Sequence, residues 1–214
     1  MSADATQSES FGDWTYYPEL LATPVPRYTS YPTAAEFVEE SFEQAQRTAL
    51  AAVRGTASLY IHIPYCQEIC WYCGCNTGAA NKRQRLGTYL EALHREIEMV
   101  GELLDPSVRI GRIAFGGGSP NAITPAAFAG LMRHIEDAFG ARGAIRSVEL
   151  DPRGFDAAWA DALGKARVTR ASLGVQTFDP ALQAAIGRIQ PTEDIARTTD
   201  WLRGAGVSSI NFDL

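Results

Sequence analysis

A chain of 214 residues with 46% hydrophobic and 21% charged content has the make-up of an ordinary globular protein, long enough for one sizeable core or two small ones. Its formal net charge of −6 excludes a global electrostatic pull toward nucleic acid or an anionic membrane, and no apolar run approaches the roughly 20 residues of a membrane span. The opening MSADATQSES lacks the basic-then-apolar pattern of a secretory signal, so a cytoplasmic, reducing compartment is expected.

Residues 1–33 are rich in proline and aromatics, and four prolines between Pro18 and Pro32 hold this arm in extended or turn conformations. Residues 36–54 read as a helix. Residues 58–64 (SLYIHIP) make a short apolar run of strand type. Leu86, Leu90, Leu93, Ile97, Val100 and Leu104 then recur at steps of three and four, one apolar helix face. A strand over 109–115 ends at Gly116. Thr124–Pro125 open the next helix as cap and first-turn proline, and Gly140 stops it. Further strands are predicted over 146–150, 169–175 and 207–214. Between them lie helices around 155–163, after Asp179–Pro180 up to Gly187, and from a Thr192 cap.

Strands alternating with helices predict an α/β fold of parallel βα units. Five of them with short connections suit a partial (βα) barrel, with a doubly wound open sheet as the alternative. The domain reading is an N-terminal arm and helix over 1–56, followed by the barrel over 57–214. The last strand, INFDL, has no helix after it, so the barrel reads as incomplete and the chain as a fragment.

All four cysteines, Cys66, Cys70, Cys73 and Cys75, lie in one ten-residue loop after the first strand. Partners two or three residues apart would close tiny loops, which argues against a disulfide framework. Thiolates favour zinc or iron–sulfur clusters. Structural zinc usually takes two spatially separate pairs of ligands. A single loop wraps a cluster more naturally, with Cys66, Cys70 and Cys73 on three irons and a fourth iron open. His62, inside a strand, and His94, beside a helix stripe, read as a core hydrogen bond and a solvent-facing side chain.

C-x3-C-x2-C after a first strand is the signature of radical S-adenosylmethionine (SAM) enzymes. With VPRYTSYPTA (25–34), SLYIHIPYC (58–66), CWYCGCN (70–76), GGGSP (116–120), VELDPR (148–153), SLGVQTFD (172–179) and INFDL (210–214), the chain resembles the oxygen-independent coproporphyrinogen III oxidase family. The resemblance runs over residues 27–214, the N-terminal half of a typical member. Cys75 and PRYTSYPT separate that family from relatives that carry haem.

The resemblance implies a barrel of the radical SAM type. It also implies a 4Fe–4S cluster on Cys66, Cys70 and Cys73, and SAM on the fourth iron. Tyr60, Tyr72, the glycine-rich Gly117, Gly118 and Ser119, and Glu149 would contact that SAM. Gln176, Arg188 and Asp213 would contact a second one. Taken alone, Tyr72 reads as loop packing, the glycines as a tight turn, Glu149 as the start of a loop and Arg188 as a solvated charge. Asn121 replaces a second threonine common in the family. Glu149, Gln176 and Asp213 each close a strand, and C-terminal strand ends face the mouth of a βα barrel.

The implied reaction is oxidative decarboxylation of two propionates of coproporphyrinogen III to the vinyls of protoporphyrinogen IX. An adenosyl radical starts it, and no oxygen is used. A reductant such as flavodoxin or ferredoxin, a monomeric full-length protein and a basic contact from Arg27 to the polyanionic substrate complete the expectation. The alternatives are a haem-carrying relative or an inactive truncated form.

Overall fold

The structure, a computed structural model, describes residues 41–75, 77–80 and 83–214 together with Pro18, Thr33 and residues 36–38. Most of the arm, Arg27 included, lies outside the described residues. In chain order the described elements are α1 (Glu43–Ala52), β1 (Thr56–Ile63), β2 (Tyr65–Cys66), β3 (Gly78–Ala79), α2 (Arg83–Leu103), β4 (Arg109–Gly117) and a 3₁₀ turn at Pro120–Ala122. They continue with α3 (Pro125–Phe139), β5 (Ile145–Leu150), α4 (Ala157–Lys165), β6 (Arg170–Gly174), α5 (Pro180–Ala185), α6 (Thr192–Gly204) and β7 (Ser209–Asp213).

β1, β4, β5, β6 and β7 form one parallel sheet in that order. A doubly wound sheet reverses direction at a switch point, and this order contains none. Each crossover advances one strand the same way, so α2 packs on α3, α3 on α4 and α4 on α6. That is the arrangement of a βα barrel arc.

Register explains which side chains meet. Ile61, Phe115, Val148 and Ala171 occupy one rung and are all buried on the helix-covered face. The residues between them point to the opposite face, because side chains alternate along a strand. There Glu149 pairs with Ser172, Ser172 with Asn211, and Gly174 with Asp213. One face carries the core and the other carries polar groups.

Local signals set several helix ends. The Thr124 hydroxyl accepts from the Ala127 N–H at 3.2 Å, Pro125 follows, and Gly140 closes α3 at φ 61°. Asp179 caps α5 through the Ala181 and Leu182 N–H groups. Thr192 is not a cap: it is the first residue of α6, and Pro191 precedes it without a side-chain bond.

The helix expected over 36–54 begins only at Glu43. Upstream, Thr33 and Glu36 close a local turn through Glu36 N–H to Thr33 C=O and Thr33 N–H to the Glu36 carboxylate. α1 packs against α2, within the unit Glu43–Leu214 that holds the sheet.

His94 does not simply face solvent. Its Nδ1 lies 2.6 Å from Nδ1 of His134 on α3, with the rings stacked at 4.8 Å, and Glu98 reaches His134 Nε2 at 3.4 Å. Burial and then His134 lower the His94 pKa below its ordinary 6.5, with Glu98 opposing. Between that lowered value and about 6.5 the unfolded chain binds more protons, so stability is lost as pH falls through the window. Thermal midpoints are expected to drop on acidification from about pH 7.5 to about 5.5, and less steeply in His94→Gln, where the imidazole that resists protonation is gone. Parallel slopes for the two proteins would contradict this.

Candidate functional site

The cysteine loop leaves the sheet after Ile63 and is tied at its base. β2 and β3 pair in parallel, with Gly78 N–H donating to Pro64 C=O and Ala80 N–H to Cys66 C=O, both at 2.8 Å. Two bonds from the glycine-rich turn hold the same base: Gly118 N–H to Ile63 C=O and Ser119 N–H to Tyr65 C=O, each 2.8 Å. A side chain at Gly118 would lie 2.7–2.9 Å from Tyr65 backbone atoms, and Gly117 has φ +115°. Glycine is therefore required here for chain-to-chain approach. At the tip, Trp71 N–H donates to Ile186 C=O at 3.0 Å, and its ring sits where a Cβ on Gly187 (φ +64°) would be.

Cys66, Cys70, Cys73 and Cys75 border one cavity, together with Tyr72, Gly117, Gly118, Glu149, Gln176, Arg188 and Asp213. Residues from the cysteine loop and four separate strand ends are thus brought together. Cys70 is buried, Cys66 and Cys73 are half-buried, and Cys75 is exposed. Burial, then Asp151 and the neighbouring thiols, push the Cys66 thiol up to about 11 against the pull of Arg153. Tyr72 is raised chiefly by burial, with Arg188 opposing.

Two expected contacts are placed differently. Tyr60 is exposed and does not border the cavity; its hydroxyl lies beside Glu149, since a Cβ on Gly116 would meet both that hydroxyl and Glu149 Oε2 within 2.8 Å. Burial, Glu149 and Cys75 raise its pKa. Ser119 turns away from the cavity and is buried. Its hydroxyl donates to Asn121 Oδ1 at 2.5 Å, and both oxygens accept from the Asp151 N–H at 3.2 and 3.0 Å. Asn121 Nδ2 returns a bond to Asp151 C=O at 2.9 Å. The pair fixes the main chain at the end of β5.

What they fix is a cluster two of whose members, Asp151 and Arg153, carry no expected role. Asp151 and Arg153 belong to VELDPR, immediately after the strand that carries Glu149. Asp151 receives Arg153 Nη2 at 2.7 Å and Arg188 Nη2 at 3.0 Å. Both guanidiniums also donate to the Cys70 Sγ, Arg153 Nη2 at 3.3 Å and Arg188 Nη1 at 3.2 Å. Arg188, which by itself read as a solvated charge, is 6% exposed and also bonds the Gly174 carbonyl. Its Nε has no partner among the described residues.

The far wall is ordered by β6 and β7. Ser172 Oγ donates to both Asp213 oxygens at 3.1 and 3.0 Å, and Asn211 Nδ2 donates to Asp213 Oδ1 at 2.7 Å. Gln176 adopts φ +67°, with its N–H held by Asp213 C=O at 2.6 Å. A positive φ in a non-glycine residue beside a cavity marks backbone strain. Glu149 Oε2 accepts weakly from Gly117 N–H at 3.4 Å.

Three thiols of one loop border one cavity at the strand ends of a βα barrel arc, and two buried guanidiniums contact one of them, Cys70. The radical SAM superfamily model matches residues 60–214, and the chain belongs to that superfamily.

Among individual proteins, the chain is 43% identical over 193 residues to an oxygen-independent coproporphyrinogen III oxidase of Bradyrhizobium diazoefficiens, covering 89% of this chain and 43% of that protein. It is 42% identical over 198 residues to the Paracoccus denitrificans protein of the same name, covering 91% and 44%. The solved coproporphyrinogen III oxidase of Escherichia coli, described as a radical SAM enzyme, superposes with a TM-score of 0.79 at 36% identity. That match covers 87% of this chain and 43% of that one. The chain spans less than half the length of these relatives.

Membership in the superfamily implies a 4Fe–4S cluster and SAM as cofactors. The residues fit: soft thiolate donors suit iron–sulfur clusters, and the guanidiniums beside Cys70 offset the anionic charge that ligation requires. Among the described residues no helix is long and apolar enough to cross a membrane.

Proposed function

We propose that this chain forms the cluster- and SAM-binding part of an oxygen-independent coproporphyrinogen III oxidase. The observation that carries the reading is the convergence of Cys66, Cys70 and Cys73 with Glu149, Gln176 and Asp213 on one cavity. When bound, the cluster and SAM would supply a 5′-deoxyadenosyl radical able to take a hydrogen atom from a substrate propionate, whose side chain then loses carbon dioxide and one electron, passed to an external acceptor, to become a vinyl group.

The chain's own residues position and exclude. Cys66, Cys70 and Cys73 ligate as thiolates. Glu149, beside the Gly117 N–H, offers a carboxylate to the ammonium of SAM, and the Gly117–Gly118 turn brings main chain close to it. Tyr72 flanks the cluster, and the Tyr60 hydroxyl lies beside Glu149. Asp213, oriented by Ser172 and Asn211, and the strained Gln176 form the wall assigned to a second SAM. Arg188, which bonds the Gly174 carbonyl, joins that wall. Coproporphyrinogen III is the substrate in this reading, a flavodoxin or ferredoxin the electron source, and the cytoplasm the location.

The test is anaerobic reconstitution with iron and sulfide, then SAM and dithionite. Formation of 5′-deoxyadenosine, with carbon dioxide released when coproporphyrinogen III is added to the full-length protein, is the expected result. Stoichiometric haem binding with neither product would overturn the reading in favour of a haem carrier.

A further inference from the structure

Two guanidiniums and one carboxylate are packed against a single sulfur. The side chains of Asp151, Arg153 and Arg188 are 12%, 12% and 7% exposed. Arg153 and Arg188 share the one buried carboxylate, Asp151, while the second carboxylate, Glu68, meets Arg153 from the exposed side. Cys70 Sγ lies against both guanidiniums, at 3.3 Å from Arg153 and 3.2 Å from Arg188. Among the described residues no guanidinium reaches the sulfur of Cys66 or Cys73, so the three corners are not equivalent.

Arg153 is held more firmly than a surface arginine. Its Nε and Nη2 grip both Asp151 oxygens at 2.7–3.1 Å, and its main-chain N–H donates to Asp151 Oδ1 at 3.0 Å. Asp151 is in turn locked through its backbone by Ser119 and Asn121. The remaining nitrogen, Nη1, meets the Glu68 carboxylate at 3.0 Å, whose side chain is 71% exposed. Burial pulls the Arg153 pKa down, but Asp151 and then Cys70 raise it above the ordinary arginine value, so the group stays charged.

We propose that Arg153 is a positioning residue that sets the reduction potential of the cluster through its charged N–H···S bond to Cys70. This rests on the cluster-binding reading above. Reduction adds one electron to an already anionic assembly. A fixed positive charge and a hydrogen bond to a ligand sulfur stabilise the reduced form more than the oxidised one and raise the potential. Arg153 neither gives nor takes a proton in that step. Glu68, on the outer side of the same guanidinium, partly offsets its charge.

The test is a redox titration of the reconstituted cluster followed by electron paramagnetic resonance, on the full chain and at matched iron and sulfide content. Arg153→Gln is expected to shift the midpoint downward, and Arg153→Lys to recover part of the shift. Glu68→Gln leaves the core of the clamp intact and is expected to shift the midpoint upward. Unchanged midpoints in both Arg153→Gln and Glu68→Gln would overturn the proposal. If Arg153→Gln fails to hold a cluster, the Glu68→Gln shift decides alone. Failure of the unmodified chain to take up a cluster would instead sink the cluster-binding reading, so the two failures are distinguishable.

Discussion

Alanine at Cys66, Cys70 or Cys73 is expected to leave the anaerobically reconstituted protein colourless and poor in iron, whereas Cys75→Ala keeps its cluster. The three thiols share one loop and one cavity, and each is expected to hold a different iron. No water or neutral side chain substitutes well for a thiolate. Cys66 illustrates the demand: burial and its anionic neighbours push it up to about 11, so iron must displace a firmly held proton. Loss of such a ligand should weaken cluster binding beyond the roughly 10–100-fold seen when an outer partner of a ligand is removed. Cys75 is exposed and close enough to Tyr60 to affect its ionisation, a position at the rim. Iron and sulfide analysis with the visible spectrum reads the outcome. A cluster retained in Cys70→Ala but lost in Cys75→Ala would reverse the ligand assignment.

Gly118→Ala should be the most damaging small substitution in the glycine-rich turn. The new methyl would stand 2.7 Å from Tyr65 C=O and 2.9 Å from two more Tyr65 backbone atoms. Those atoms cannot move independently, because Tyr65 carries both the strand pairing to Gly78 and the bond from Ser119 N–H. The turn must therefore separate from the base of the cysteine loop, losing the 2.8 Å bonds of Gly118 and Ser119. Overpacking of this kind costs about 1–3 kcal/mol or more, which lowers the thermal midpoint by about 2–4 °C per kcal/mol in a chain of this size. Cluster retention should fall with it. Gly130→Ala in α3 is the contrast: nothing lies within 4 Å, and relief of glycine's helix penalty should stabilise by about 0.5–1 kcal/mol. Circular dichroism melts compare the pair. Equal stability of Gly118→Ala and the parent would remove the close-approach account of this turn.

Features governed by short-range chemistry are legible in the order of the residues alone. The alternation of apolar residues placed five strands and the helices between them. Thr124–Pro125, Gly140 and Asp179 are legible because capping bonds span only two or three residues. C-x3-C-x2-C is legible because the ligands share one loop. The strand-end positions of Glu149, Gln176 and Asp213 follow from counting along each strand.

How residues far apart in sequence divide the work emerges only once the chain is folded. Arg188 read alone as a surface charge because nothing near it announces a partner; its partners, Asp151 and Cys70, lie 37 and 118 positions away. Ser119 looked like a ligand contact, yet it holds Asp151 across 32 residues. His94 met His134 across two helices. The strand order, which separates a barrel arc from a doubly wound sheet, is likewise absent from any single βα unit. The physical reason is common to all four: burial and charge compensation belong to pairs of residues, and the parallel register of the sheet chooses the pairs.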